Sequence, residues 1–156
     1  MSKKILVAID DSENALRAVE FVSNSFSTDN KITLFNVIQD TATLCEMNSP
    51  ELTPYFTSQQ SAFCLLEDKK KELVGQALKK AKAMLLDAGF DENNITTKAE
   101  FKNKGIAKDI MQEAQDGYNV IVMGKRGVSG IKDFLLGSIS QKVFNLAKDV
   151  SVLFVN

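Results

Sequence analysis

Asn119 to Ser138 reads NVIVMGKRGVSGIKDFLLGS. Val120 to Met123 is a continuous apolar run, and runs apolar on both faces suit strands covered by helices on both sides. A glycine-rich loop from Gly124 to Gly137 follows, and Ser138 then opens a helix with Ile139, Val143 and Leu146 inward. Strand, loop and helix in that order make one step of a parallel sheet. Ile5-Leu6-Val7-Ala8-Ile9 is a second strand of the same kind and ends in Asp10-Asp11-Ser12. Asp11 or Ser12 can cap the helix that follows, whose stripe is Ala15, Ala18, Val19 and Val22.

The remaining chain repeats this pattern. Ile32 to Ile38 reads as a strand, Ile95 to Phe101 as a weaker and more polar one near a sheet edge, and Val152 to Val155 as the last. Ala62 to Ala88 is the longest helical pattern, with Leu66, Leu73, Ala77, Ala81, Met84 and Ala88 on one stripe and Gly89 as its stop. Its Lys69-Lys70-Lys71 run reads as a solvated face. Ile106, Ile110 and Ala114 mark a further helix that ends at Gly117. Gln39 to Ser61 holds no period and contains both prolines, Pro50 and Pro54, which predicts a surface loop or short irregular helices. The sum predicts an α/β fold. It is a single Rossmann-like domain over residues 1–156, with a five-stranded parallel sheet in the order 3-2-1-4-5 and helices on both faces.

Composition narrows the function. With 156 residues the chain can bury roughly 68–70% of its unfolded surface without metals or disulfides. Nineteen basic residues against twenty acidic ones argue against a nucleic-acid footprint. The absence of histidine excludes Ser-His-Asp and Cys-His pairs and imidazole zinc sites. Cys45 and Cys64 stand in no metal-ligand spacing and read as reduced bystanders, although a bridge is open to them. No apolar stretch is long enough to cross a membrane, so a cytoplasmic protein is expected.

In open α/β sheets ligands sit at the carboxyl ends of strands, where strand order reverses. Here that crevice opens between strands one and four, beside Asp10-Asp11-Ser12 and the glycine loop. Glycines allow positive φ and close approach of N–H groups to an anion, and the following helix N-terminus adds its dipole. Lys125, Arg126 and Lys132 against Asp133 give the loop a local excess of two positive charges. These features predict a phosphate cradle; the alternative is that the glycines serve only turn geometry and packing of the last helix. The P-loop does not fit, because Ile131 follows Gly130, and no dinucleotide glycine fingerprint follows strand one.

Gly124, two residues, Gly127, nine residues and then Gly137-Ser138 resemble the G-x2-G-x9-G-[ST] nucleotide motif of the universal stress protein family. The opening from Ile5 to Asp10 and the closing strand are similar to that family too. The resemblance implies ATP, with or without Mg²⁺, in the crevice between strands one and four. It implies that Asp10 contacts adenine or ribose and that Val37 lines the adenine pocket. Gly124 and Gly127 would wrap the phosphates with Arg126 between them, and Gly137, Ser138 and Ser140 would offer donors to phosphate or ribose. Plain structural roles stand beside these: Asp10 or Asp11 and Ser138 as helix caps, Val37 as core, Arg126 as a solvated charge. Many members carry a histidine after strand two, where this chain has Asn36.

The expected function is that of an ATP-binding regulator whose nucleotide state alters its partner interactions. The alternatives are a dimeric interaction module without nucleotide, and a slow ATPase, for which the spacing assigns no base among Asp10, Asp11 and Asp40. A homodimer through the final strand is expected from its short apolar edge and from the resemblance.

Overall fold

The structure is a computed structural model that describes residues 1–10, 12–38, 54–125 and 136–156. Five strands, β1 (Lys4–Ala8), β2 (Lys31–Ile38), β3 (Ile95–Phe101), β4 (Val120–Gly124) and β5 (Ser151–Val155), form one sheet. Every pairing is parallel, and the order is β3-β2-β1-β4-β5, as expected. β1 is central: Leu6 stands opposite Thr33 of β2 and Ile121 of β4.

Alternation along β1 divides the core. Ile5 and Val7 face one side and join α1 (Glu13–Ser25) and α2 (Pro54–Asp87) through Val19, Val22, Ala81 and Leu85. Leu6 and Ala8 face the other side, with α3 (Ile106–Ala114) and α4 (Ser138–Leu146), through Ile110 and Val143. β1, β2 and β4 are apolar along most of their length because helices cover both faces. β3, at the edge, buries only Ile95 fully.

Two expectations about α2 are corrected. The helix begins at Pro54, so Pro54 to Ser61 is helical; a proline suits the first position, where its missing N–H has no intrahelical partner to lose. Residues 39–53 of the expected loop lie outside the described residues. The buried stripe is also displaced by one position: Val74, Ala77, Leu78, Ala81 and Leu85 pack on the sheet. Leu66 and Leu73 are 65% and 42% exposed, and Ala88 lies beyond the helix end on the surface. Gly89 does stop the helix. Its φ is +99°, and the N–H groups of Ala88, Gly89 and Phe90 bond back to Met84, Leu86 and Leu85.

Cys64 on α2 is disulfide-bonded, not the reduced bystander expected. Cys45 lies outside the described residues.

Candidate functional site

The carboxyl ends of β1 and β4 lead to two helices. After β1, Asp10 Oδ1 accepts the Ser12 N–H at 2.8 Å and also the Ser12 hydroxyl. Ser12 Oγ in turn accepts the Ala15 N–H at 3.3 Å and caps α1. This turn fixes the Asp10 carboxylate at the strand end, while its Oδ2 takes part in no hydrogen bond among the described residues. Behind it, the buried Asn36 donates from Nδ2 to the Ile9 carbonyl at 2.7 Å, and Ile9 N–H bonds Phe35 O. Asn36 thus ties the ends of β1 and β2 together.

After β4 the arrangement differs. Gly124 lies against α1: a Cβ there would meet Asn14 Cβ at 2.8 Å and the Asn14 backbone at 3.1 Å. Close approach, not positive φ, is what requires a glycine at this position. Gly137 is extended too, at φ −65° and ψ 164°, and serves as the N-cap of α4 with no side chain to cap it. Its own N–H bonds Lys125 O at 2.9 Å, and Gln141 N–H closes the first turn on Gly137 O. Ser138, Ile139 and Ser140 are left with backbone N–H groups that no described residue accepts. The Ser140 hydroxyl is engaged differently: it donates to Gly124 O at 3.0 Å and fastens α4 to the end of β4.

Between these ends lies a cavity of about 440 Å³. That falls within the usual range of small-molecule sites. Asp10, Val37, Gly124, Ser138 and Ser140 all line it. Gly137 adjoins it as the cap of α4, while Arg126 and Gly127 lie outside the described residues. Its apolar lining comes from Ala8, Val37, Ile110, Met123 and Ile139 on the α3–α4 side and Ala15, Val74 and Leu78 on the other.

One wall was not foreseen. Glu67, Lys70, Lys71, Val74, Gly75 and Leu78 of α2 line the same cavity. Their spacing of three and four is a single helix face, set one position away from the stripe expected from the leucines. The signal available in the sequence was Gly75, a glycine deep inside a long helical pattern, where it costs about 1 kcal/mol against alanine.

The residues present fit an adenine nucleotide. Open N–H groups at a helix N-terminus suit phosphate, the apolar lining suits a base, and a held carboxylate suits hydroxyl or amino groups. Among the described residues no group of three His, Cys, Asp or Glu side chains is placed to hold a metal ion. No described helix is long and apolar enough to cross a membrane.

Comparison with known proteins agrees with this geometry. A universal stress protein YxiE of Bacillus subtilis (strain 168) is 26% identical over 149 residues, covering 94% of this chain and 95% of its own. The solved structure of hypothetical protein MJ0577 superposes with a TM-score of 0.70 at 26% identity, over 99% of this chain and 96% of that one. UspA from Lactobacillus plantarum matches at a TM-score of 0.67 and 20% identity, covering 99% of this chain and 97% of its own. A universal stress protein in complex with cAMP matches at 0.64 and 18%, with 99% and 97% covered. The family model for the universal stress proteins matches residues 1–156, and the chain belongs to that family.

Proposed function

We propose that the protein binds ATP in the cavity between the end of β1 and the start of α4, and that the bound nucleotide regulates its interaction with partners. The observation that carries this reading is the N-terminus of α4, whose first three N–H groups find no acceptor among the described residues and lie at the cavity where the sheet order reverses. Ser138 and the backbone of Ser140 receive phosphate, Asp10 takes the ribose or base, and Val37 lines the base pocket. Arg126 and Gly127 complete the phosphate loop by the motif spacing. Magnesium enters on the phosphates, as it commonly does with few carboxylates. Outside this chain, the cAMP complex has the same fold around an adenine nucleotide.

Thermal denaturation with ATP tests the reading. A ligand at 100 times its dissociation constant adds about 2.7 kcal/mol, which at roughly 2–4 °C per kcal/mol is a shift of several degrees. Asp10→Ala should weaken ATP binding and leave bare tripolyphosphate nearly unaffected. No shift with millimolar ATP and magnesium, and no nucleotide released from the freshly purified protein on denaturation, would leave an interaction module.

β5 is proposed as the dimer edge. Val152 to Val155 are only half-buried, and Phe154 meets the exposed Phe144 at 6.4 Å between ring centroids. Sedimentation at the monomer mass at micromolar concentration contradicts this.

A further inference from the structure

Among the described residues, the charged lining of the cavity comprises Asp10 and Glu67 against Lys70 and Lys71. What sets the two lysines apart from the other described lysines is their place on the cavity lining. Lys4, Lys82 and Lys98 are each ion-paired, to Asp116, Glu92 and Glu113, at 2.8–3.2 Å. Lys70 and Lys71 form no ion pair among the described residues, although Glu67 stands one turn away on the same face. Their four-carbon stems carry freely rotating ammonium groups at the cavity rim.

Gly75 is the second observation. A Cβ built there meets nothing within 4 Å among the described residues, so none of them requires a glycine. Its φ is not in the left-handed region either. The residue therefore weakens the helix with no return in packing against the described residues, and it lines the cavity.

Position supplies the third. α2 packs over β2 and β3, whereas the open N-terminus of α4 follows β4. At 4.7–4.9 Å per strand, β2 and β4 stand about 10 Å apart. The cavity thus has two cationic ends: the α4 terminus on one side and the lysine pair on the other, with the apolar lining between them.

We propose that Lys70 and Lys71 form a second anion subsite across Gly75, so that the cavity prefers an adenine nucleotide carrying a ribose phosphate in addition to its 5′ phosphates. This rests on the nucleotide reading above and adds the placement of charge to it. Glu67 opposes the lysines and reduces the local charge from +2 to +1.

Calorimetric titration can separate the two readings with ligands that each carry two phosphates. These are ADP, adenosine 2′,5′-bisphosphate and adenosine 3′,5′-bisphosphate. The expected result is that one bisphosphate binds roughly tenfold tighter than ADP, as about 1.4 kcal/mol of charge-assisted contact requires. Which of the two is preferred identifies the ribose oxygen. In K70Q/K71Q the ratio should collapse to about one, and in E67Q it should rise. These positions are on the helix surface, so the substitutions leave folding little changed. Equal affinities for all three ligands in the natural protein, or a preference that survives K70Q/K71Q, overturns the second subsite and leaves the nucleotide site standing. No binding of any of the three, nor of ATP, overturns both.

Discussion

α1 and α4 both start at the carboxyl edge of the sheet, and both lie beside the same cavity, but their first turns are finished differently. Ser12, itself held by Asp10, accepts the Ala15 N–H of α1 on its hydroxyl. α4 starts from Gly137, which has no side chain to offer, and its first three N–H groups find no acceptor among the described residues. A glycine cap costs little stability: it falls only a few tenths of a kcal/mol short of a good N-cap. In this protein the closed end orients a carboxylate, and the open end is positioned to receive an anion. On the proposed reading, the difference separates a helix start that serves the fold from one that serves a ligand.

Exchanging the two kinds of end gives the largest expected effect. Gly137→Asp suits the backbone at φ −65° and ψ 164° and supplies α4 with a capping carboxylate. The ligand-free protein should gain up to about 1 kcal/mol from the cap and the helix dipole. ATP affinity should fall about 100-fold, since the carboxylate takes the phosphate's N–H groups and repels it. Denaturation and calorimetry on the same sample should thus move in opposite directions.

Gly124→Ala acts on the packing between the two ends. The added methyl would lie within 3.1 Å of Asn14 backbone atoms, so α1 or β4 must shift. A loss of about 1–3 kcal/mol without ligand is expected in urea denaturation. Ser12→Ala removes the finished cap and should cost about 1 kcal/mol, with ATP binding weakened because Asp10 keeps the backbone N–H but loses the hydroxyl that also holds it. The smallest effect is expected for Gly75→Ala. The ligand-free protein should become more stable by about 0.5–1 kcal/mol, while the melting shift produced by ATP shrinks, because the methyl enters the cavity.

The asymmetry was partly legible in the amino-acid sequence. Val120 to Met123 and Ile5 to Ile9 announce their strands because burial on both faces demands unbroken apolar runs. The glycine spacing locates Gly124 and Gly137, and the structure adds a backbone reason for each. Neither has positive φ: Gly124 yields space to Asn14, and Gly137 leaves a helix uncapped. The Ser140 hydroxyl, expected at the ligand, bonds the Gly124 carbonyl, a pairing across 16 residues that no local pattern encodes.

α2 shows where local reading fails. The leucines at 66 and 73 suggest one face, while packing chooses the face of Val74, Leu78 and Leu85, and that choice depends on how the helix lies across β2 and β3. The same one-position displacement brings Lys70 and Lys71 from an apparently solvated run to the rim of the cavity. A periodic pattern gives the width of a buried stripe more reliably than its centre, because alanines at 77 and 81 suit either face.

The central claim is that the open end of α4, and not the capped end of α1, receives the phosphates. Amide resonances report this residue by residue in a ¹H–¹⁵N titration with tripolyphosphate followed by ATP. The account predicts that the N–H signals of Ser138, Ile139 and Ser140 move with both ligands, and that Ala15, whose N–H is held by Ser12, stays in place with tripolyphosphate. Saturating ATP that leaves the Ser138–Ser140 amides unmoved, or tripolyphosphate that moves Ala15 instead, would contradict it.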